Sequence, residues 1–253
     1  MGMLRDTWTM AKRSLKHTTR SMDTIITVVA MPIAMLLLFV YVFGPSFAQA
    51  TGGIKYVDFI TPTIIIMTVV SGIAYAAVRL SMDLQKGIIN RFKTMPVAPS
   101  SILGGHALSS TVSNLFSSLL VLAVALAIGF RSGAGLGEWL LFSGLLVLFT
   151  LATTWLAILF GLLAKTMEGA GAFSYILILL IFISSGFTPV DKMTPALRWF
   201  AENQPMTPII ETMRSLLTSG TAGDSAMIAL GWCVGLLLVA YSLALRVYKT
   251  KTI

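Results

Sequence analysis

Long apolar runs alternate with short polar segments along this chain of 253 residues. A helix needs about 20 mostly apolar residues to cross the roughly 30 Å hydrocarbon core of a bilayer, because each residue adds about 1.5 Å. Six runs have about that length: 24–43, 57–78, 107–130, 139–163, 169–187 and 226–245. The pattern predicts an all-α polytopic membrane protein with six transmembrane helices, in a single transmembrane domain over residues 1–253.

The composition agrees with lipid as the solvent of this chain. Hydrophobic residues make up 56% of it and charged residues 11%, whereas a soluble domain carries about 25% charged residues. Cys233 is the single cysteine, which excludes an intrachain disulfide and a Cys-rich metal site. The first 23 residues are polar and basic, and the first apolar run exceeds the about 7–15 residues of a signal-peptide core. We therefore expect no cleavable signal peptide.

The distribution of basic residues predicts the orientation, since Lys and Arg are retained on the cytoplasmic side. With the N-terminus inside, most of the 18 basic residues lie in cytoplasmic segments. The external ones would be Lys55, Arg131, Lys192, Arg198 and Arg214. Both termini are predicted to be cytoplasmic, in the inner (plasma) membrane of a bacterium. The net charge of +8 then faces an anionic lipid leaflet, so it does not indicate a nucleic-acid partner.

Residues 1–23 place Leu4, Trp8 and Leu15 at helical spacing, opposite several basic side chains. This pattern is typical of an amphipathic helix that lies in the cytoplasmic membrane interface, with Trp8 at headgroup level. A disordered basic tail is the alternative.

The external stretch 188–225 is predicted to contain two short helices, either dipping into the outer leaflet or lying on it. Thr194-Pro195 and Thr207-Pro208 each resemble an N-cap followed by proline at the first helical position. A helical stop at Gly220 is expected. The second helix would have one apolar face, made of Ile209, Ile210, Met213, Leu216 and Leu217.

The sequence offers no catalytic centre. None of the ten carboxylates falls in the middle of a predicted span, which disfavours an ion-coupled carrier because such carriers generally hold an ionisable group near the midplane. A phosphate-binding Gly-x-x-x-x-Gly-Lys-Ser/Thr loop and a His-Glu-x-x-His motif are both absent from the sequence. We therefore expect that this chain is not an enzyme and binds no metal or cofactor.

The sequence pattern of the cytoplasmic loop 79–106 predicts a short amphipathic helix. Leu84, Ile88, Phe92 and Met95 share one face, and Pro96 ends the helix because it lacks an N–H. Such a helix could dock in a groove on a partner protein or lie on lipid, and the pattern leaves both open.

Two groups of residues resemble the type-2 ABC exporter permeases, especially the six-span kind near the daunorubicin-resistance permeases. The first group is in the cytoplasmic loop: Asp83, Gly87, Arg91, Met95-Pro96-Val97 and Gly104. The second is in the external stretch: Ser185-Gly186-Phe187-x-Pro189, Met193-x-Pro195, Trp199-Phe200, Asn203-x-Pro205 and Arg214-Ser215-Leu216. Both groups occur in the family's order, and the resemblance covers nearly the whole chain.

The resemblance implies a mechanism. Such permeases work as dimers, and a homodimer is favoured here over a heterodimer, with each half bound to a separate cytoplasmic ABC ATPase that holds ATP and Mg²⁺. Coupling to that subunit would run through the loop helix and the N-terminal helix. The implied coupling residues are Asp83, Leu84, Gly87, Ile88, Arg91, Phe92, Met95 and Pro96, with Asp83 and Arg91 foremost. The structural alternative for these two is helix capping and a solvated basic face.

A weakly polar seam runs along the second and third spans and is a candidate substrate path. It consists of Thr68, Ser71 and Tyr75 on the second span and Ser110, Ser113, Asn114 and Ser117 on the third. Small residues that let helices pack closely are the alternative explanation. The cargo could be a drug-like amphiphile, a lipid or polyketide, or a lipid-linked glycan. An ion-coupled carrier and a non-transporting membrane scaffold or assembly factor are the other functions considered.

Overall fold

The computed structural model describes residues 26–48, 55–85 and 99–252, and in these ranges the chain forms helices and no β-strand. The all-α prediction is confirmed for this part of the chain. The predicted interfacial helix over 1–23, with Leu4, Trp8 and Leu15, lies outside the described residues and stays a prediction. The same holds for the loop residues 86–98.

The helices follow one another with short connections. α1 covers residues 26–48 as alternating π- and α-helical stretches, which are Ile26–Ala30, Met31–Leu38, Phe39–Phe43 and Gly44–Ala48. The helices after it are α2 (Tyr56–Gln85), α3 (Pro99–Ala127), α4 (Leu136–Leu163), α5 (Met167–Phe182), α6 (Pro195–Asn203), α7 (Met206–Thr218) and α8 (Ala226–Thr252). A 3₁₀ turn over Val190–Lys192 precedes α6.

Five of the described helices, namely α1, α2, α3, α4 and α8, are long and apolar enough to cross a membrane. The remaining predicted span corresponds to α5, whose 16 residues rise about 24 Å, less than the roughly 30 Å core. α5 ends at Phe182, so the predicted span 169–187 extends beyond the helix. The polytopic class is therefore confirmed, with five full-length apolar helices and one shorter one.

α2 and α3 also reach further than the hydropathy pattern indicated. α2 continues through Gln85 and α3 begins at Pro99, so both helices enter the segment 79–106 that was assigned to a loop. Leu80 and Leu103, which lie in the two extended parts, are buried in one apolar cluster at this end of the bundle, and this burial favours the longer helices.

α2 is the central helix of the bundle. Its buried side chains run from Tyr56 to Ser81, and it packs against α3, α4 and α5. At its crossing with α4 the two backbones lie so close that a Cβ atom added at Gly161 would lie 2.8 Å from the Ala77 carbonyl oxygen. Small residues allow such close approach, which is the main way that membrane helices gain packing energy.

α8 packs along α4, where the rings of Trp155 and Tyr241 meet edge to face with centroids 4.7 Å apart. Its other side exposes large apolar side chains such as Met227 and Leu238, and α5 exposes Tyr175 and Ile176. Exposed apolar surface of this extent is characteristic of a protein that faces lipid.

The two predicted external helices exist, with one corrected boundary. α6 begins at Pro195 after Thr194, as predicted, although the Thr194 side chain makes no capping hydrogen bond. α7 begins at Met206, so Thr207 lies inside the helix and is not its N-cap. Gln204 favours this earlier start, because its side-chain oxygen accepts a hydrogen bond from the Met206 N–H at 3.0 Å and so satisfies one of the free N–H groups of the first helical turn.

α7 is packed into the bundle rather than laid on its surface. Its predicted apolar face is buried to at least 98%, at Ile209, Ile210, Met213, Leu216 and Leu217, and the helix contacts α2, α4 and α8. Gly220 follows its end with φ +66°, a backbone conformation that glycine adopts without strain.

The Arg214 side chain of α7 joins three parts of the chain. Its Nε donates to the Phe59 carbonyl at 3.0 Å, and its Nη2 donates to the carbonyls of Ser185 at 3.0 Å and Gly186 at 3.3 Å. The guanidinium carbon lies 3.7 Å from the centroid of the Phe59 ring. Burial lowers the pKa of Arg214 to about 10, so the group is still a cation at neutral pH.

Two of the carbonyls that Arg214 binds, those of Ser185 and Gly186, belong to a tight turn after α5. The Ser184 hydroxyl donates to the Ile181 carbonyl at 2.6 Å and accepts from the Gly186 N–H at 3.0 Å. Serine side chains that bond to the backbone in this way compete with helical hydrogen bonds. The Thr63 hydroxyl donates to the Gly186 carbonyl at 3.0 Å. These contacts explain why α5 stops short of the end of its apolar run.

Replacing Arg214 by Met should destabilise the protein, because three carbonyl groups would lose the hydrogen bond that Arg214 donates where lipid offers no substitute, and of these the Gly186 carbonyl keeps the Thr63 hydroxyl as a donor. We expect the unfolding temperature in detergent to fall by roughly 5–10 °C, measured by fluorescence-monitored thermal unfolding. Arg198→Met is the matched control. Arg198 pairs with Glu202 at 2.8 Å with both side chains well exposed, and exposed pairs contribute little, so its unfolding temperature should stay unchanged. Equal losses in the two variants would contradict the role given to Arg214.

Candidate functional site

Only the two ends of the predicted coupling loop belong to the described residues. Asp83 and Leu84 lie in the last turn of α2. The other predicted coupling residues lie outside the described ranges, and their roles stay predictions; they are Gly87, Ile88, Arg91, Phe92, Met95 and Pro96. The described part of the site is therefore the place where α2 ends before the loop and α3 begins after it.

At this place, which we call the loop base, a polar contact joins α2 to α3. Asp83 Oδ2 lies 3.2 Å from His106 Nε2, with side-chain exposures of 35% and 15%. The contact crosses from the last turn of α2 to the first two turns of α3, so it connects the two helices that carry the loop. Partial burial strengthens such a contact relative to a fully solvated pair.

An apolar cluster supports the loop base from the membrane side. Leu80, Leu103 and Ala107 are buried within it, and Leu84 packs against it from the end of α2. α4 contributes Ile158, and α8 contributes Ala244 and Tyr248. Four helices are thus held together directly beneath the loop.

Gln85, the last residue of α2, extends this arrangement to the next connection. Its Nε2 donates to the Ser81 hydroxyl at 3.4 Å and to the Lys165 carbonyl at 3.5 Å. Lys165 lies between α4 and α5. The end of α2 therefore contacts the connection between α4 and α5.

The predicted polar seam divides by exposure into two sets. Thr68, Asn114 and Ser117 are buried, with exposures of 0%, 1% and 4%. The other four are partly exposed: Ser71, Tyr75, Ser110 and Ser113.

The buried set is a packed contact between α2 and α3. The carbonyl oxygen of the Asn114 side chain lies against Gly72, where an added Cβ atom would lie 1.7 Å from it and 3.2 Å from Val28 of α1. The Thr68 and Ser117 hydroxyls donate to backbone carbonyls of their own helices, at 2.7 Å and 3.0 Å. In this conformation the polar atoms of the buried set are therefore turned toward protein rather than toward an open passage.

The sequence pattern gives no structural role to two residues that hold the bundle together. Arg214 is one of the predicted external charges and part of the Arg214-Ser215-Leu216 motif, and a basic residue on the helix with the apolar face 209–217 is a signal for a buried cation. His106 lies 23 residues after Asp83, and no local pattern pairs the two. Among the described residues, no cluster of three or more His, Cys, Asp or Glu side chains could hold a metal ion.

Comparison with known proteins agrees with this architecture. The model of the family described as "ABC-2 type transporter" matches residues 5–218, which is most of the chain. The chain is 29% identical over 236 residues to the daunorubicin resistance ABC transporter permease protein DrrB1 of Streptomyces coeruleorubidus, covering 90% of this chain and 80% of that protein.

Two further relatives carry transport permease names. A probable doxorubicin resistance ABC transporter permease protein, DrrC of Mycobacterium tuberculosis, is 23% identical over 241 residues, with 95% of this chain and 87% of that protein covered. The putative transport permease ycf38 of Pyropia yezoensis is 26% identical over 217 residues, with coverages of 80% and 73%. The resemblance seen in the loop and external motifs is confirmed, and the chain belongs to the ABC-2 type transporter family.

Proposed function

We propose that this chain is the membrane-spanning permease subunit of an ATP-binding cassette exporter. It moves a hydrophobic or amphipathic substrate out of the cytoplasm or the inner leaflet, and a separate cytoplasmic ATPase subunit hydrolyses the ATP with Mg²⁺. The observation that carries the proposal is the family match over residues 5–218, on a chain whose described part holds five apolar helices of spanning length. The names of the relatives, which are drug-resistance permeases, support an amphipathic drug-like cargo.

The ATPase contacts the loop helix, through Arg91 and the apolar face of Ile88, Phe92 and Met95, and the N-terminal interfacial helix. The loop base supports this assignment, because α2 and α3 are tied there by the Asp83–His106 contact and by the apolar cluster. A force that the ATPase exerts on the loop is then transmitted to α2 and α3 together.

The working unit is a homodimer in the bacterial inner membrane, with both termini in the cytoplasm. The partly exposed members of the seam contact the cargo, namely Ser71, Tyr75, Ser110 and Ser113. The buried members, such as Asn114, hold α2 and α3 together, which follows from the Gly72 contact.

Arg91→Glu should uncouple ATP hydrolysis from transport while membrane insertion stays normal, because the reversed charge faces the ATPase across the proposed contact. The measurement is ATP-driven uptake of daunorubicin, used as the amphipathic probe, into inside-out vesicles that contain the purified permease–ATPase complex. ATP hydrolysis is followed in the same samples. A helix break, Ile88→Pro, should give the same result.

Arg198→Glu is the matched control for this experiment. It makes the same charge change at an exposed position on α6, in the stretch proposed to lie on the other side of the membrane from the ATPase, and should keep transport coupled. The coupling role of the loop is refuted if the Arg91→Glu complex assembles normally and retains substrate-stimulated ATPase activity.

The proposed orientation predicts a labelling pattern for the two ends of α8. Asp224 and Thr250 are both exposed, and the helix from Ala226 to Thr250 rises about 36 Å, so they lie on opposite sides of the membrane. In a Cys233→Ala background, a membrane-impermeant maleimide should label Asp224→Cys in intact spheroplasts and Thr250→Cys only after permeabilisation. The reverse pattern would place the termini outside.

A further inference from the structure

The proposed coupling loop leaves the bundle at the end of α2 and returns at the start of α3, so the spacing of these helix ends determines how the loop is presented. We propose that Asp83 and His106 form a positioning pair that closes the base of this loop, so that motion of the ATPase subunit reaches α2 and α3 together. This inference rests on the proposed function and adds His106 to the residues that serve coupling.

The geometry of the pair suits this role. His106 Nε2 and Asp83 Oδ2 are 3.2 Å apart, with the imidazole nitrogen as the donor and the carboxylate as the acceptor. The contact is therefore a directional link between the two helices. It lies two residues before the end of α2 at Gln85 and within two turns of the start of α3 at Pro99.

Packing fixes the backbone on both sides of the pair. Leu80 lies one turn before Asp83, and Leu103 and Ala107 flank His106; their exposures are 0%, 0% and 5%. The side chains of the pair thus start from helix positions that cannot shift easily, since well-packed positions resist displacement. His106 itself is only 15% exposed, so water competes weakly for the contact.

The polar pair restrains rotation and sliding of α2 against α3, which the apolar cluster alone does not prevent. Apolar contacts resist separation of the helices but are non-directional, so they allow rotation and sliding. A single polar contact between helices specifies their register, which is the best-attested role of partly buried polar pairs. With the pair formed, the two ends of the loop move as one body. Without it, part of the movement imposed on the loop is lost as rotation of α2 against α3.

The test uses the permease–ATPase complex reconstituted in vesicles and measures the number of daunorubicin molecules transported per ATP hydrolysed. His106→Ala and Asp83→Ala should each lower this ratio about three- to ten-fold. The double variant should lower it no further than Asp83→Ala alone, because the contribution of His106 acts through Asp83, whose carboxylate also interacts with Arg79. His106→Gln should stay within about two-fold of wild type, since its amide nitrogen donates from a similar reach. The ATPase subunit should stay bound in every variant.

Ser242→Ala is the matched control. It removes an exposed hydroxyl on α8 that donates to the Val239 carbonyl of its own helix at 3.0 Å, outside the loop base, and it should keep the wild-type ratio. The unfolding temperature is measured for each variant, so that a loss of coupling is separated from a loss of stability.

Wild-type transport ratios in both single alanine variants would overturn the inference and leave the proposed function intact. The inference is also overturned if the transport ratio falls only in proportion to the unfolding temperature and His106→Gln does not restore the ratio. The pair would then be merely structural. A wild-type complex that shows no ATP-dependent transport overturns the proposed function, and the inference with it.

Discussion

Lipid offers no hydrogen bonds, so every backbone group freed within or next to the membrane must find a partner in the protein. In this chain the constraint is met most visibly at Arg214, whose guanidinium binds carbonyls of Phe59, Ser185 and Gly186. These carbonyls belong to α2 and to the turn after α5, and Arg214 belongs to α7. One buried cation therefore ties a short helix, its irregular end and the central helix together, and it permits α7 to enter the bundle.

The bundle that results has two differently built ends. The end with Arg214 is closed by polar contacts to backbone groups, which leave little freedom for the 184–187 turn. The opposite end is closed by an apolar cluster around Leu80 and Leu103 and by the Asp83–His106 contact above it. An exporter that is driven by an ATPase subunit outside the bilayer needs a rigid connection at the end of the bundle where that subunit acts. The loop base has this character, and the long α2 continues from it as one helix to the end that holds Arg214.

The sequence alone was sufficient for the parts of the fold that depend on hydropathy and on local cap signals. The apolar runs located the helices, Pro195 marked the start of α6, and Gly220 marked the stop after α7. It was not sufficient where a distant side chain decides the outcome. The apolar run through Phe187 looked like a complete span, but Ser184 and Arg214 redirect the backbone after Phe182. Likewise, Asp83 was recognised by its family motif, whereas its partner His106 lies 23 residues later and becomes visible only when α2 and α3 are side by side.

The proposed permease function requires a separate ATPase subunit bound to this chain. The decisive measurement is gentle extraction of the tagged chain from its native membrane, followed by identification and quantification of the proteins that co-purify. We expect a P-loop ATPase of about domain size in stoichiometric amount, and we expect its loss when residues 87–95 are disrupted. A chain that purifies alone in several mild detergents would contradict the account.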